Sequence, residues 1–135
     1  MKTLSRTLRS FALIASLSIP AVSSRAEIES QIETHHPLIE SVTLFASNPE
    51  IVTPIGVAVA PDGRVFVQEN HTHKRGKDYA GPEKDRILVF EDVDGDGVAE
   101  KRSVFHDGLE FTTDLLFGPD GDLYVATRWF IGRFR

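Results

Sequence analysis

The feature that most constrains this chain is a strand pattern written twice, 58 residues apart. Pro54-Ile-Gly-Val-Ala-Val-Ala-Pro-Asp-Gly-Arg-Val-Phe-Val-Gln-Glu69 lies over Thr112-Thr-Asp-Leu-Leu-Phe-Gly-Pro-Asp-Gly-Asp-Leu-Tyr-Val-Ala-Thr127. In each copy an apolar run meets Pro-Asp-Gly and a second apolar or alternating run follows. Proline presets the backbone at the first corner of a tight turn, aspartate bonds its own backbone, and glycine supplies the positive φ that ends the turn. Each copy therefore predicts a hairpin. Between the copies, Arg86 to Phe90 and Arg102 to Phe105 add two short strands, separated by the turn-forming stretch Asp92 to Gly97. His106, Asp107 and Gly108 read as a turn after the fourth strand, and Trp129 to Arg135 reads as a further strand begun.

Four short strands per repeat, at a period of about 40 to 60 residues, is the sequence form of a propeller blade. The expected fold is all-β, made of antiparallel four-stranded blades of a β-propeller, with about one and a half to two blades present. A propeller ring closes from about four blades, so the chain reads as a truncated piece that needs the missing blades or a partner. Two unrelated hairpins in a sandwich is the competing reading. No helical periodicity follows Ala26 apart from a weak, polar stretch over Glu27 to Glu40 that reads as irregular.

The first residues have another purpose. Lys2, Arg6 and Arg9 precede an apolar run from Phe11 to Val22, and Ser24-Arg25-Ala26 supplies the small residues of a cleavage box. This is a secretory signal in three parts, with cleavage expected after Ala26 and the product periplasmic or secreted. The apolar run is too short to span a bilayer comfortably, so no stable membrane span is expected after cleavage; an uncleaved N-terminal anchor is the alternative, since Arg25 inside the cleavage box is not ideal. The division that results is a signal peptide over 1–26, a lead-in with a first outer strand over 27–50, and blades over 51–135. His35 and His36 fall in the lead-in and read as solvated.

Composition excludes several functions. The formal net charge of −5, with acidic and basic residues interspersed, gives no footprint for nucleic acid or anionic lipid. No cysteine is present, which removes disulfides, thiolate catalysis, cysteine-ligated zinc and covalent haem attachment.

Two clusters carry chemistry. Asp92, Asp94 and Asp96 alternate before Gly97, as in the front half of a calcium loop, because calcium prefers several carboxylate oxygens around a glycine bend. Position twelve is Ser103 where an EF-hand needs glutamate, and strands flank the loop. A calcium-bound hairpin and a bare turn both stay open. The second cluster is Asn70-His71-Thr72-His73, directly after a strand and opening a polar excursion through Glu83 that the other repeat lacks. Two histidines at alternate positions on a strand end would point the same way, as metal ligands or as base and orienter; a solvated loop is the alternative. Glu69 and Asn70 add a carboxylate and an amide, and Arg75 with Lys77 could meet an acidic substrate or cofactor. Asp114 before one strand and Arg128 after another are placed to line a channel end.

The strings Val67 to His73, Tyr79-Ala-Gly-Pro82, Asp85 to Gly97 and Asp107-Gly-Leu109 resemble the N-terminal propeller of the PVC-type haem-binding proteins, secreted proteins labelled membrane-bound dehydrogenases. The resemblance spans roughly Ile51 to Arg135. Those propellers are similar to glucose and sorbosone dehydrogenases, which use pyrroloquinoline quinone and calcium. The resemblance implies that the full-length form oxidises a sugar or alcohol, with His71 or His73 as the base; Asn70, Arg75, Asp114 and Arg128, by their places in the loop and at strand ends, are the residues expected near a cofactor. Haem is not implied for this chain, which lacks Cys-x-x-Cys-His. The other function classes are a non-catalytic extracytoplasmic propeller that binds glycans or proteins, and an inactive truncated product.

Overall fold

The computed structural model describes residues 43–73 and 75–135. The signal segment, most of the lead-in and His35 and His36 lie outside the described residues. Seven strands form: β1 (Pro54–Val59), β2 (Val65–Glu69), β3 (Asp85–Glu91), β4 (Lys101–Leu109), β5 (Thr112–Phe117), β6 (Leu123–Thr127) and β7 (Ile131–Phe134). Among the described residues there is no helix, so none is long and apolar enough to cross a membrane. The strands make two antiparallel sheets in which each strand pairs with the next, in the orders β1-β2-β3-β4 and β5-β6-β7.

Both Pro-Asp-Gly segments close hairpins, and they do so with the same bonds. Gly63 takes φ 90° and donates to Ala60 O at 2.9 Å, while Gly121 takes φ 81° and donates to Gly118 O at 3.0 Å. Asp62 and Asp120 each accept from the backbone N–H two residues on, at 3.2 and 3.3 Å. The repeat is thus one of structure as well as of letters.

The fourth strand differs from the expectation. His106, Asp107 and Gly108 lie inside β4, which runs on to Leu109, rather than in a turn after it. Register shifts between Asp85 and Arg86 and between Ile87 and Leu88 absorb extra residues, so that Ile87 pairs with His106 and Arg86 with Asp107. Gly108 sits at a skipped position with φ 112°, where a side chain would be strained. Residues 43–53 carry no strand.

Alternation of side chains gives each sheet two faces. The facing pair holds the main core: Phe66, Ile87 and Val89 of the first sheet meet Leu115, Leu123 and Val125 of the second. The Phe66 ring stands edge-on to Phe105 and Phe117, with centroids 5.1 and 5.0 Å away. The opposite face of the first sheet carries Val67, Leu88 and Phe90, and the segment with Phe45, Ala46 and Ile51 packs over part of it. The β2 to β5 side of this stack, where the strands end in loops, is where the polar residues gather.

Candidate functional site

The joint between the sheets is a buried carboxylate. Asp85, the first residue of β3, has no exposed surface and accepts five hydrogen bonds. Its Oδ1 takes the N–H groups of His71 and Thr72 at 2.6 and 2.8 Å. Its Oδ2 takes the Thr72 hydroxyl at 3.0 Å and both the N–H and hydroxyl of Thr112, at 2.9 and 2.8 Å. The Thr72 oxygen in turn accepts from Phe111 N–H at 2.7 Å. One side chain so ties the loop after β2 to the start of β5. Burial alone would raise the Asp85 pKa, but the bonds from Thr112, His71 and Thr72 outweigh it and hold the group below its ordinary value.

A second buried acid organises the same loop. Glu69 Oε1 accepts from Val52 N–H at 2.7 Å, and Oε2 meets Arg86 Nη2 at 2.5 Å and His71 Nε2 at 3.0 Å. Burial again opposes ionisation, and the bonds from His71, Val52 and Arg86 overcome it, leaving the pKa lowered. With Glu69 ionised, His71 Nε2 carries the proton it shares with Oε2, and Nδ1 on the other side of the ring is hydrogen-bonded to the Tyr79 hydroxyl. Arg75 closes the excursion: it donates to His71 O at 2.7 Å and Pro82 O at 2.8 Å, and its guanidinium lies 5.8 Å from the centre of the Tyr79 ring. No buried side-chain nitrogen or oxygen among the described residues lacks a partner.

The two histidines therefore do not act together. β2 stops at Glu69, and Asn70 Oδ1 accepts from His73 N–H at 2.9 Å, which turns the chain where alternation would have continued. His71 is 2% exposed with both ring nitrogens engaged, whereas the exposed His73 ring stands edge-on to Phe111.

His73 lines a cleft of about 620 Å³. Its walls come in pairs related by the repeat. Thr53 and Phe111 precede β1 and β5, Ile55 and Thr113 lie within those strands, and Asn70 and Arg128 follow β2 and β6; each pair is 58 residues apart. The backbone repeats too, since Asn70 N–H donates to Thr53 O at 3.2 Å and Arg128 N–H donates to Phe111 O at 2.9 Å. Thr53 and Phe111 are the two non-glycine residues with positive φ among those described, at 49° and 48°. A β-branched threonine and a phenylalanine pay of order 1–2 kcal/mol each for that conformation, and such strain concentrates at ligand sites. The Phe111 ring is edge-on to Trp129, 5.0 Å away, and Trp129 is 60% exposed.

The other sequence candidates lie elsewhere. Asp114 is exposed, accepts from its neighbour Leu115 N–H at 2.8 Å, and borders a groove on the β1 side. Arg75 is held inside the loop as described. Asp92, Asp94 and Asp96 sit in the β3–β4 turn, at the far end of β3 from Asp85, and Glu100 joins them: each can offer one carboxylate oxygen, all within 4.8 Å of one another. Asp92 already accepts from Gly95 and Gly97 N–H, Asp94 from Asp96, Asp96 from Val98, and Glu100 from Val93. A bare turn and a cation site draw on the same oxygens.

The site also contains residues that sequence reasoning passed over: Asp85, Arg86, Tyr79, Phe111 and Thr112; Glu69, expected to add a carboxylate to the histidine loop, does so from a fully buried position. The cleft pairs had a usable signal, since extending the repeat by one residue at each end brings Thr53 over Phe111 and Asn70 over Arg128. Among families, the one described as Domain of unknown function (DUF7133) matches residues 28–128. No curated protein and no solved structure matches the chain.

Proposed function

The chain belongs to the DUF7133 family, and we propose that this member is a stretch of an exported β-propeller whose cleft between two consecutive repeats holds a sugar or related polyol. The single observation that carries the reading is the pairing of the walls: equivalent positions of two repeats converge on one cleft, at one end of both sheets, with strained backbone at Thr53 and Phe111. Consecutive antiparallel sheets packed face to face and sharing a loop end are how blades surround an axis. The chemistry of the cleft suits a polyol. Phe111, with Trp129 against it, offers an apolar aromatic surface, and Asn70, His73, Thr113 and Arg128 set hydrogen-bonding groups around it.

Calorimetric titration of the full chain with a panel of monosaccharides and polyols tests this. The expectation is saturable binding of at least one class, weakened about tenfold, or ~1.4 kcal/mol, by His73→Ala and by Phe111→Ala. Binding unaffected by either substitution, or absent across the panel, would sink the proposal.

A second reading rests on the resemblance to the PVC-type propellers: the same ligand is oxidised in the complete protein, where a bound quinone would supply the hydride acceptor. The observation that favours one residue for this role is the engagement of both His71 nitrogens, which leaves His73 as the histidine free to take a hydroxyl proton in the cleft. Arg128 is the one cation on the cleft wall among the described residues, so an anionic quinone would meet a single positive partner here.

A further inference from the structure

The repeat relates faces as well as residues. Ala58 and Phe66 of the first sheet, which face the second sheet, correspond to Leu116 and Tyr124, which lie on the outer face of the second sheet. Conversely Leu115, Leu123 and Val125, which face the first sheet, correspond to Val57, Val65 and Val67 on the first sheet's outer face. The outer side of the second sheet is thus built like the inner side of the first, and the reverse also holds. On the outer face of the second sheet Leu116 is 55% exposed and Ile131 75%; on that of the first sheet Val57 is 63% exposed, while Val67 is buried beneath the segment that carries Phe45 and Ile51. Val57, Val65 and Val67 line a groove of about 560 Å³ beside the Phe45 to Ile51 segment.

From this we infer that a second copy of the chain docks head to tail, seating the Leu116 and Tyr124 face of one copy on the Val57, Val65 and Val67 groove of the next. The contact continues the packing that already joins the two sheets within one chain, with Leu116 in the place of Ala58 and Val57 in the place of Leu115. Ile131 corresponds to Ile87 by its position opposite Ala126, as Ile87 is opposite Gln68, and adds apolar area to the same face. Arg133 is the departure: it stands opposite Tyr124 where Val89 stands opposite Phe66, and its ion pairs with Asp120 and Asp122 let it lie along the rim of the contact. An interface of this kind is heterologous, because the two surfaces in contact are different, so copies add in one direction until a ring closes. The inference rests on the repeat and is independent of what the cleft holds.

The absence of cysteine makes the test clean. Val57→Cys and Leu116→Cys are prepared separately in the full chain, both at exposed positions, and mixed in equal amounts under mild oxidation. Head-to-tail docking predicts a 57–116 disulfide that exceeds both homodimers several-fold, together with an apparent mass that rises with concentration in the unmodified chain. Leu116→Lys, with its strand signature intact by circular dichroism, is expected to stay monomeric. Three results would overturn the inference: a dominant 116–116 homodimer, which means face-to-face pairing; crosslinks at random proportions; or a Leu116→Cys thiol that is shielded from reagent in a monomer, which means that residues before 43 cover the face.

Discussion

Asp85→Ala is expected to unfold the chain, or to leave it as an expanded β-rich state, at neutral pH and ambient temperature. The substitution removes an acceptor with no exposed surface and strands three backbone N–H groups, those of His71, Thr72 and Thr112, together with two hydroxyls. Each unsatisfied buried donor costs about 1–3 kcal/mol, so even partial relaxation leaves a loss on the order of 3–5 kcal/mol. A domain of this size holds only about 5–15 kcal/mol in total. The damage is directional, because Asp85 is what fixes Thr112 and, through Thr72, Phe111. Chemical denaturation gives the magnitude, and amide exchange at residues 111 to 113 shows where the structure opens first. An Asp85→Ala chain as stable as the parent would mean that the two sheets are held by their apolar core alone.

Glu69→Ala is expected to cost a similar amount for a different reason. It leaves the Arg86 guanidinium largely buried without its carboxylate, and it strips Val52 N–H and His71 Nε2 of their acceptor. Breaking one partner of a buried ion pair costs about 3–5 kcal/mol, whereas replacing both by apolar groups is often near neutral. The double variant Glu69→Leu with Arg86→Met is therefore expected to be more stable than Glu69→Ala alone, and a double-mutant cycle measures the coupling. The two acids also set the response to acid. Both have pKa values lowered by folding, so their contribution is complete above the unfolded carboxylate range near 4 and is lost as pH falls through the lower folded-state values. Stability should be level from neutral pH down to about 4 and decline below it. Asp85→Asn should flatten part of that decline.

The parts of this fold that are local in the chain are the parts that can be read from it. Period-two runs on either side of Pro-Asp-Gly specify β1, β2, β5 and β6, because turn chemistry and alternation act within a few residues. The length of β4 is not local. His106 to Gly108 look like turn formers, and only the two register shifts against β3 make room for them in a strand. The burial of the two acids was hidden for the same reason. Asp85 and Glu69 stand at strand ends, where acidic residues are ordinarily solvated, and their burial follows from the second sheet and the excursion closing over them. His71 and His73 show the limit of spacing arguments: alternate positions share a direction only while the strand lasts, and Asn70 ends it. The cleft was closer to legible than any of these. Asn70 and Arg128 stood out by sequence, and the repeat already relates them, but strain at Thr53 and Phe111 is visible only in the backbone.

Trp129 offers the most direct test of the central claim, that the cleft between the repeats holds a polyol. It is the single tryptophan of the chain, more than half exposed and edge-on to Phe111 at the cleft. Its fluorescence should change saturably as a sugar or polyol from the panel is added, with reduced quenching by iodide in the bound state, and both effects should weaken in the His73→Ala chain. Emission and iodide quenching that stay flat across the panel, in a chain whose circular dichroism shows the strands intact, would contradict it.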